Sequence, residues 1–157
     1  MFKPLLASLL LVAATTAWAQ DRKPPYWASI NASEALMRSG PGKQFPGQWL
    51  YRRPGLPVRV VAVFQNWRRV QDPEGAVGWM DQVLLTAERT AMIRSGTPRP
   101  LHTEPSADAP VRYVAEPGVT GRVSDCAEGW CRLEVGRRGG HVRAGDLWGV
   151  EPGEEFD

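Results

Sequence analysis

Past the first twenty residues, apolar positions come in short bursts broken by Gly, Pro, Asn and Asp, and none repeats with the spacing of an amphipathic helix. Val58 to Phe64 is a run rich in β-branched residues, and Trp67 to Val70 is a shorter one. Gln65-Asn66 joins them as a tight connection, and Asp72-Pro73-Glu74-Gly75 is a turn signature leading into Ala76 to Met80. The later half repeats the theme: Val119 to Cys126, Trp130 to Val135, a turn at Gly136–Gly140, then His141-Val142. Short strands with turns every few residues predict an all-β chain of small barrels or sandwiches.

Sliding the chain on itself by about 63 residues exposes a repeat. Pro54-Gly55 falls on Pro117-Gly118, Val60 on Val123, and Trp67-Arg68-Arg69-Val70 on Trp130-Cys131-Arg132-Leu133. With one residue of slippage, Arg38-Ser39-Gly40-Pro41 meets His102-Thr103-Glu104-Pro105, and Gly78-Trp79-Met80 meets Gly140-His141-Val142. Several matches in one order predict two copies of a small domain, residues 26–92 and 97–150. Roughly 60 residues is marginal for a barrel alone, so the copies are expected to adjoin. Arg89 to Arg94 reads as a terminal strand of the first.

The first residues carry a different signal. Met1-Phe2-Lys3-Pro4 holds one cation, an apolar run from Leu5 to about Ala14 follows, and Ala17-Trp18-Ala19 has the small-x-small form of a cleavage site. The run is short of the roughly 20 residues a membrane span needs. Residues 1–19 are therefore expected to be a cleaved signal peptide, giving an exported protein, periplasmic or secreted, with no transmembrane segment after cleavage. Without Lys3 the 19 cations fall to 18 against 17 anions, a net charge of +1. That balance, with Arg scattered along the chain, argues against nucleic acid as a partner. The only two cysteines, Cys126 and Cys131, flank Ala-Glu-Gly-Trp. In an oxidising compartment they are expected to form a disulfide across a hairpin, on a non-hydrogen-bonded pair.

At this point the residues resemble the bacterial SH3-like (SH3b) family. The first copy shows Leu36-Met37-Arg38-Ser39-Gly40-Pro41-Gly42, Pro54-Gly55, Asn66-Trp67-Arg68-Arg69-Val70 and Gly78-Trp79-Met80. The second keeps Pro117-Gly118, Glu128-Gly129-Trp130-Cys131-Arg132-Leu133 and a closing Asp146-Leu147-Trp148-Gly149-Val150. The resemblance implies two tandem SH3-like barrels, no enzymatic activity and no cofactor. It also implies a peptidoglycan peptide or an envelope protein as partner. Trp67 and Trp130 stand where eukaryotic relatives of the fold place a groove tryptophan. The acidic aromatic strand of those relatives is missing, which argues against a PxxP ligand.

The candidate ligand residues are Arg38, Trp49, Tyr51, Trp67 and Trp79. Matching Leu50 to Tyr113 makes Leu50 a core position, so Trp49 and Tyr51 are expected to face outward. There they form either a contact surface or packing against the other copy. The second copy has Arg112, Val114 and His141 in the places assigned to Trp49, Tyr51 and Trp79, so the first is expected to carry the ligand surface. Asp125-Cys126 resembles a cysteine-peptidase dipeptide, but the following hairpin and second Cys argue against a catalytic nucleophile. His102 and His141 lack the spacing of metal ligands. No catalytic residue and no metal are expected. Two readings stay open: a binding module for cell-wall or other extended peptides, and a structural or accessory envelope protein.

Overall fold

The β-branched runs and the turn residues between them fold as strands and hairpins. A computed structural model describes residues 22–157, so the leader expected at 1–19 lies outside the described residues. The first sheet contains β1 (Tyr26–Ile30), β2 (Ala35–Arg38), β3 (Gly47–Tyr51), β4 (Pro57–Phe64), β5 (Trp67–Gln71), β6 (Val77–Asp81) and β7 (Leu85–Thr86). The second contains β8 (Thr90–Ile93), β9 (Arg99–His102), β10 (Val111–Ala115), β11 (Thr120–Ala127), β12 (Trp130–Val135), β13 (Arg138–Arg143) and β14 (Leu147–Trp148). The orders are β3-β2-β6-β5-β4-β1-β7 and β10-β9-β13-β12-β11-β8-β14, the same topology twice. A 3-10 turn precedes each last strand, Gln82–Leu84 and Ala144–Asp146. The chain is thus two tandem SH3-like barrels.

Each barrel closes over its own core. Met37, Val58, Val60, Val70 and Met80 are fully buried in the first, and Leu133, Val142 and Leu147 in the second. Turn chemistry fixes the register. Phe64 pairs with Trp67 across Gln65-Asn66, where Gln65 takes the left-handed φ of 50°. Asp72 Oδ1 accepts from the amides of Glu74 and Ala76, 3.0 and 2.8 Å away, holding the Asp-Pro-Glu-Gly turn. Gly78 has no room for a side chain: a Cβ there would meet Met37 Cγ at 2.6 Å and the Arg38 carbonyl at 2.8 Å. Cys126 and Cys131 form a disulfide, with Cα atoms 4.1 Å apart.

Two expectations need correction. The strand expected at Arg89 to Arg94 does not end the first copy: β8 pairs with β11 and β14 and opens the second barrel. The first sheet therefore ends at Thr86, and a boundary at 92/97 would cut β8 away from its sheet. The reason is the repeat itself, since the 63-residue shift lays Ala28 on Ala91 and Ile30 on Ile93, all buried. The second concerns the β2–β3 hairpin. Trp49 pairs with Met37 there, as Tyr113 pairs with Leu101 in the second barrel, so Trp49 corresponds to Tyr113 and Tyr51 to Ala115. Leu50 is 47% exposed rather than core. Trp49 and Tyr51 share the side that carries buried Met37 and Ala35.

The barrels adjoin. Ser29 Oγ donates to the Glu88 carbonyl at 2.7 Å, which leaves Thr90 Oγ1 to donate to Ser29 at 2.6 Å. Trp148 packs edge-to-face on Trp27, centroids 4.9 Å apart, and its Nε1 donates to the Pro57 carbonyl at 3.0 Å. Arg53 donates to the Gly118 carbonyl and Thr120 Oγ1, and Arg59 pairs with Glu151 at 2.9 Å.

Candidate functional site

The five candidates from the sequence do not form one cluster. Register places Arg38 opposite Trp79, Trp79 opposite Arg69, and Trp67 opposite Asp81. Met80 and Val70, their alternating neighbours, are fully buried, so Arg38, Trp67, Trp79 and Arg69 lie on the outer face of the sheet. Phe64, opposite Trp67, extends this strip and is 50% exposed. Trp67 and Trp79 are diagonal neighbours, a relation that puts residues about 7–8 Å apart. Both rings are half-buried and Arg69 is exposed, with no ion pair among the described residues. Phe64 and Arg69 are the members the sequence argument missed. The signal was present: Arg69 shares the alternation phase of Trp67, and the two-residue Gln65-Asn66 connection sets Phe64 opposite Trp67.

Arg38 has a different task. Its Nη1 donates to the carbonyls of Lys43 and Phe45, at 3.2 and 2.8 Å, and so ties down the loop between β2 and β3. It positions that loop beside Trp79 and is not a free cation. Tyr51 is likewise structural. It packs against the first core, and its hydroxyl donates to Asp72 Oδ2 at 2.9 Å. Burial, and next the Asp72 carboxylate, push its phenol well above the ordinary range. Tyr51 thus packs within its own barrel and not against the second. Trp49, on the same side, is 61% exposed.

The second barrel closes the equivalent face. Trp130 corresponds to Trp67 but is only 7% exposed. Its cross-strand partner is Arg143, where Trp67 has Asp81, and the Arg143 guanidinium lies 4.3 Å from the Trp130 ring centroid. His102, in the place of Arg38, packs edge-to-face on the same ring at 5.5 Å. His102 Nδ1 is bonded to the Ala109 carbonyl at 2.8 Å, and His141 takes the place of Trp79. Asp81 does not lie over Trp67, because its Oδ1 accepts from the Val83 amide and caps the 3-10 turn.

Cys126 is bonded to Cys131 and offers no thiol. Among the described residues no three His, Cys, Asp or Glu side chains gather as a metal site. A cleft of about 580 Å³ lies between the barrels, lined by polar groups such as Ser29, Asn31, Glu88, Thr90 and Arg122, and it lacks the apolar lining typical of small-molecule sites. No helix among the described residues is long and apolar enough to cross a membrane.

Comparison with known proteins agrees with the topology. The model of the bacterial SH3 domain family matches residues 31–86 and again 95–149. No curated protein matches the chain. Among solved structures, NlpC2 from Trichomonas vaginalis is similar at 11% identity with a TM-score of 0.36, over 81% of this chain and 49% of that one. NlpC1 from the same organism is similar at 12% identity and a TM-score of 0.35, over 92% of this chain and 51% of that one. The chain thus spans about half the length of each.

Proposed function

Because the chain belongs to the bacterial SH3 domain family, a family of binding modules, we propose that it is a non-catalytic binding protein of the cell envelope. In this reading residues 1–19 direct export to the periplasm, and the outer face of the first barrel receives an extended cell-wall peptide. One observation carries the reading: the same tryptophan position is half-buried in one barrel and fully covered in the other. Trp67 stands beside half-buried Trp79 and exposed Phe64 and Arg69, whereas Trp130 is covered by Arg143 and His102. Aromatic rings supply contact area at small entropic cost, and a guanidinium pairs with the carboxylates that wall peptides present.

The test is retention of the protein on purified sacculi and in membrane extract. Trp67→Ala and Trp79→Ala, both with native spectra, are expected to weaken sacculus binding by about 1 kcal/mol or more, the hot-spot scale. Equal retention by both variants removes the face from the proposal. Retention only in membrane extract transfers the role to an accessory protein that contacts another envelope protein. Export is checked separately by intact mass, which is expected to give a chain starting at Gln20.

A further inference from the structure

The two barrels differ at one sheet edge, and the second shows what such an edge accepts. In each, a two-residue loop closes the hairpin, with Phe64 opposite Trp67 in the first and Ala127 opposite Trp130 in the second. The pair just before the loop is Val63 with Arg68 and, in the second barrel, the disulfide-linked Cys126 and Cys131. These are non-hydrogen-bonded pairs, so the backbone N–H and C=O of Val63 and of Cys126 point away from the hairpin partner. In the second barrel both groups are satisfied by the C-terminal tail. The Cys126 amide donates to the Phe156 carbonyl at 2.8 Å, and the Phe156 amide donates back at 3.0 Å.

Among the described residues, no strand pairs with Val63 on that side. The topology explains why. β1 pairs with β4 only as far as Tyr26 opposite Val60, and it is preceded by Pro24 and Pro25, which have no N–H to give. After β14 the chain is free to double back and cap Cys126. After β7 it runs through Ala87–Arg89 into β8, so no tail remains to cap Val63. Val63 and Phe64 are 37% and 50% exposed at this edge.

We infer that the free edge of β4 at Val63 is a strand-addition site for an extended segment of a partner protein carrying an aromatic residue flanked by carboxylates. The tail states that chemistry. Its sequence around Phe156 is Glu154-Glu155-Phe156-Asp157. Arg89 binds both Glu154 oxygens, at 2.6 and 3.0 Å, and lies 4.3 Å from the Phe156 ring centroid. In the first barrel the place of Arg89 is taken by Tyr26, a surface for an aromatic ring, and exposed Arg22 and Lys23 just ahead of β1 supply the cations. Backbone pairing supplies affinity and the flanking groups supply selectivity. The site does not depend on the outer face of β5 and β6.

The experiment uses the ¹⁵N-labelled protein and a synthetic peptide with the sequence of residues 151–157. Saturable binding is expected, with the Val63 amide shifting and its hydrogen exchange slowing. N-methylation of the peptide's Phe removes one backbone donor and is expected to weaken binding about tenfold, the scale of one hydrogen bond. Val63→Pro removes the reciprocal donor on the edge, and with it the reporting amide, so it is expected to abolish peptide binding as read at the Phe64 amide, while Trp79→Ala binds the peptide as the wild type does. The N-methyl peptide decides the matter even if Val63→Pro does not fold. Four results overturn the inference: a Val63 amide already protected in the free protein; shifts confined to Cys126 and its neighbours, meaning exchange with the tail; equal binding of the N-methyl peptide; and a dimer that dissolves on deleting residues 152–157, meaning the edge belongs to a second copy.

Discussion

Replacing Tyr51 by Phe separates the structural role of this residue from the ligand role its sequence position suggests. The substitution keeps the ring against the first core and removes only the hydroxyl. That hydroxyl donates to Asp72 Oδ2 at 2.9 Å, and Asp72 is 6% exposed, with its other oxygen taken by the Glu74 and Ala76 amides. Hydrogen bonds to charged groups contribute about 1.5–3 kcal/mol net. Because Tyr51 is half-buried and water reaches the site, the expected loss lies at the low end, about 1.5–2 kcal/mol. Urea unfolding should show a lower midpoint with an unchanged m-value, since the packed surface is unchanged. In an Asp72→Asn background the effect of Tyr51→Phe should shrink, because the charged acceptor is gone. The phenol is raised above its ordinary value of 10.0, so its stabilisation is fully present below that pH and is lost as pH climbs through the higher folded value. A Tyr51→Phe variant as stable as wild type to within about 0.5 kcal/mol, yet defective on sacculi, would refute this reasoning and return Tyr51 to the ligand surface.

The disulfide closes a small loop, so Cys131→Ser is expected to lower stability by about 2 kcal/mol while the protein still folds, measured by the same urea titration. Burial works against ionisation of Glu154, but the bonds from Arg89 and the Glu151 amide outweigh it and hold its carboxyl below the ordinary 4.5. Its contribution is therefore present above that pH and lost as pH falls through the lower folded value. Hydrogen exchange at Cys126 and Phe156 should accelerate there before the core amides do, and Arg89→Ala should reproduce that acceleration at neutral pH.

Strand content and the duplication were legible because β-branched runs, Asp-Pro-Glu-Gly and the Trp-centred matches are local signals. The disulfide was legible too, from the hairpin spacing of Cys126 and Cys131 around Glu128-Gly129. What failed was phase. The shift that relates the copies is 63 residues at Val60 and Val123 but 64 at the β2–β3 hairpin, because one extra residue separates β8 from β9 relative to β1 and β2. Since side chains alternate with period two, that one residue exchanged the faces assigned to Trp49, Leu50 and Tyr51. The tail's return to Cys126 was not legible either. Glu151–Asp157 has no strand pattern, and its pairing depends on a long-range ion pair with Arg89.

The divergence of the copies follows from a few exchanges at equivalent positions, each with opposite physical effect. Asp81 against Arg143 decides whether the tryptophan is half-buried or fully covered: a short carboxylate turns back to cap the 3-10 turn, whereas a long guanidinium lies across the ring. Arg38 against His102 acts the same way, the first reaching loop carbonyls and the second stacking on Trp130. Val63 and Arg68 stand where the second barrel has its disulfide, and the edge at Val63 is open where that at Cys126 is capped. Together these exchanges leave the first barrel with more exposed ring and sheet edge and the second with less. A barrel of about 60 residues has little stability to spare, so the open one depends on its neighbour through Trp148 against Trp27, Thr90 against Ser29 and Arg53 against Thr120. The contacts with the closed second barrel therefore offset the exposure of Phe64 in the open one.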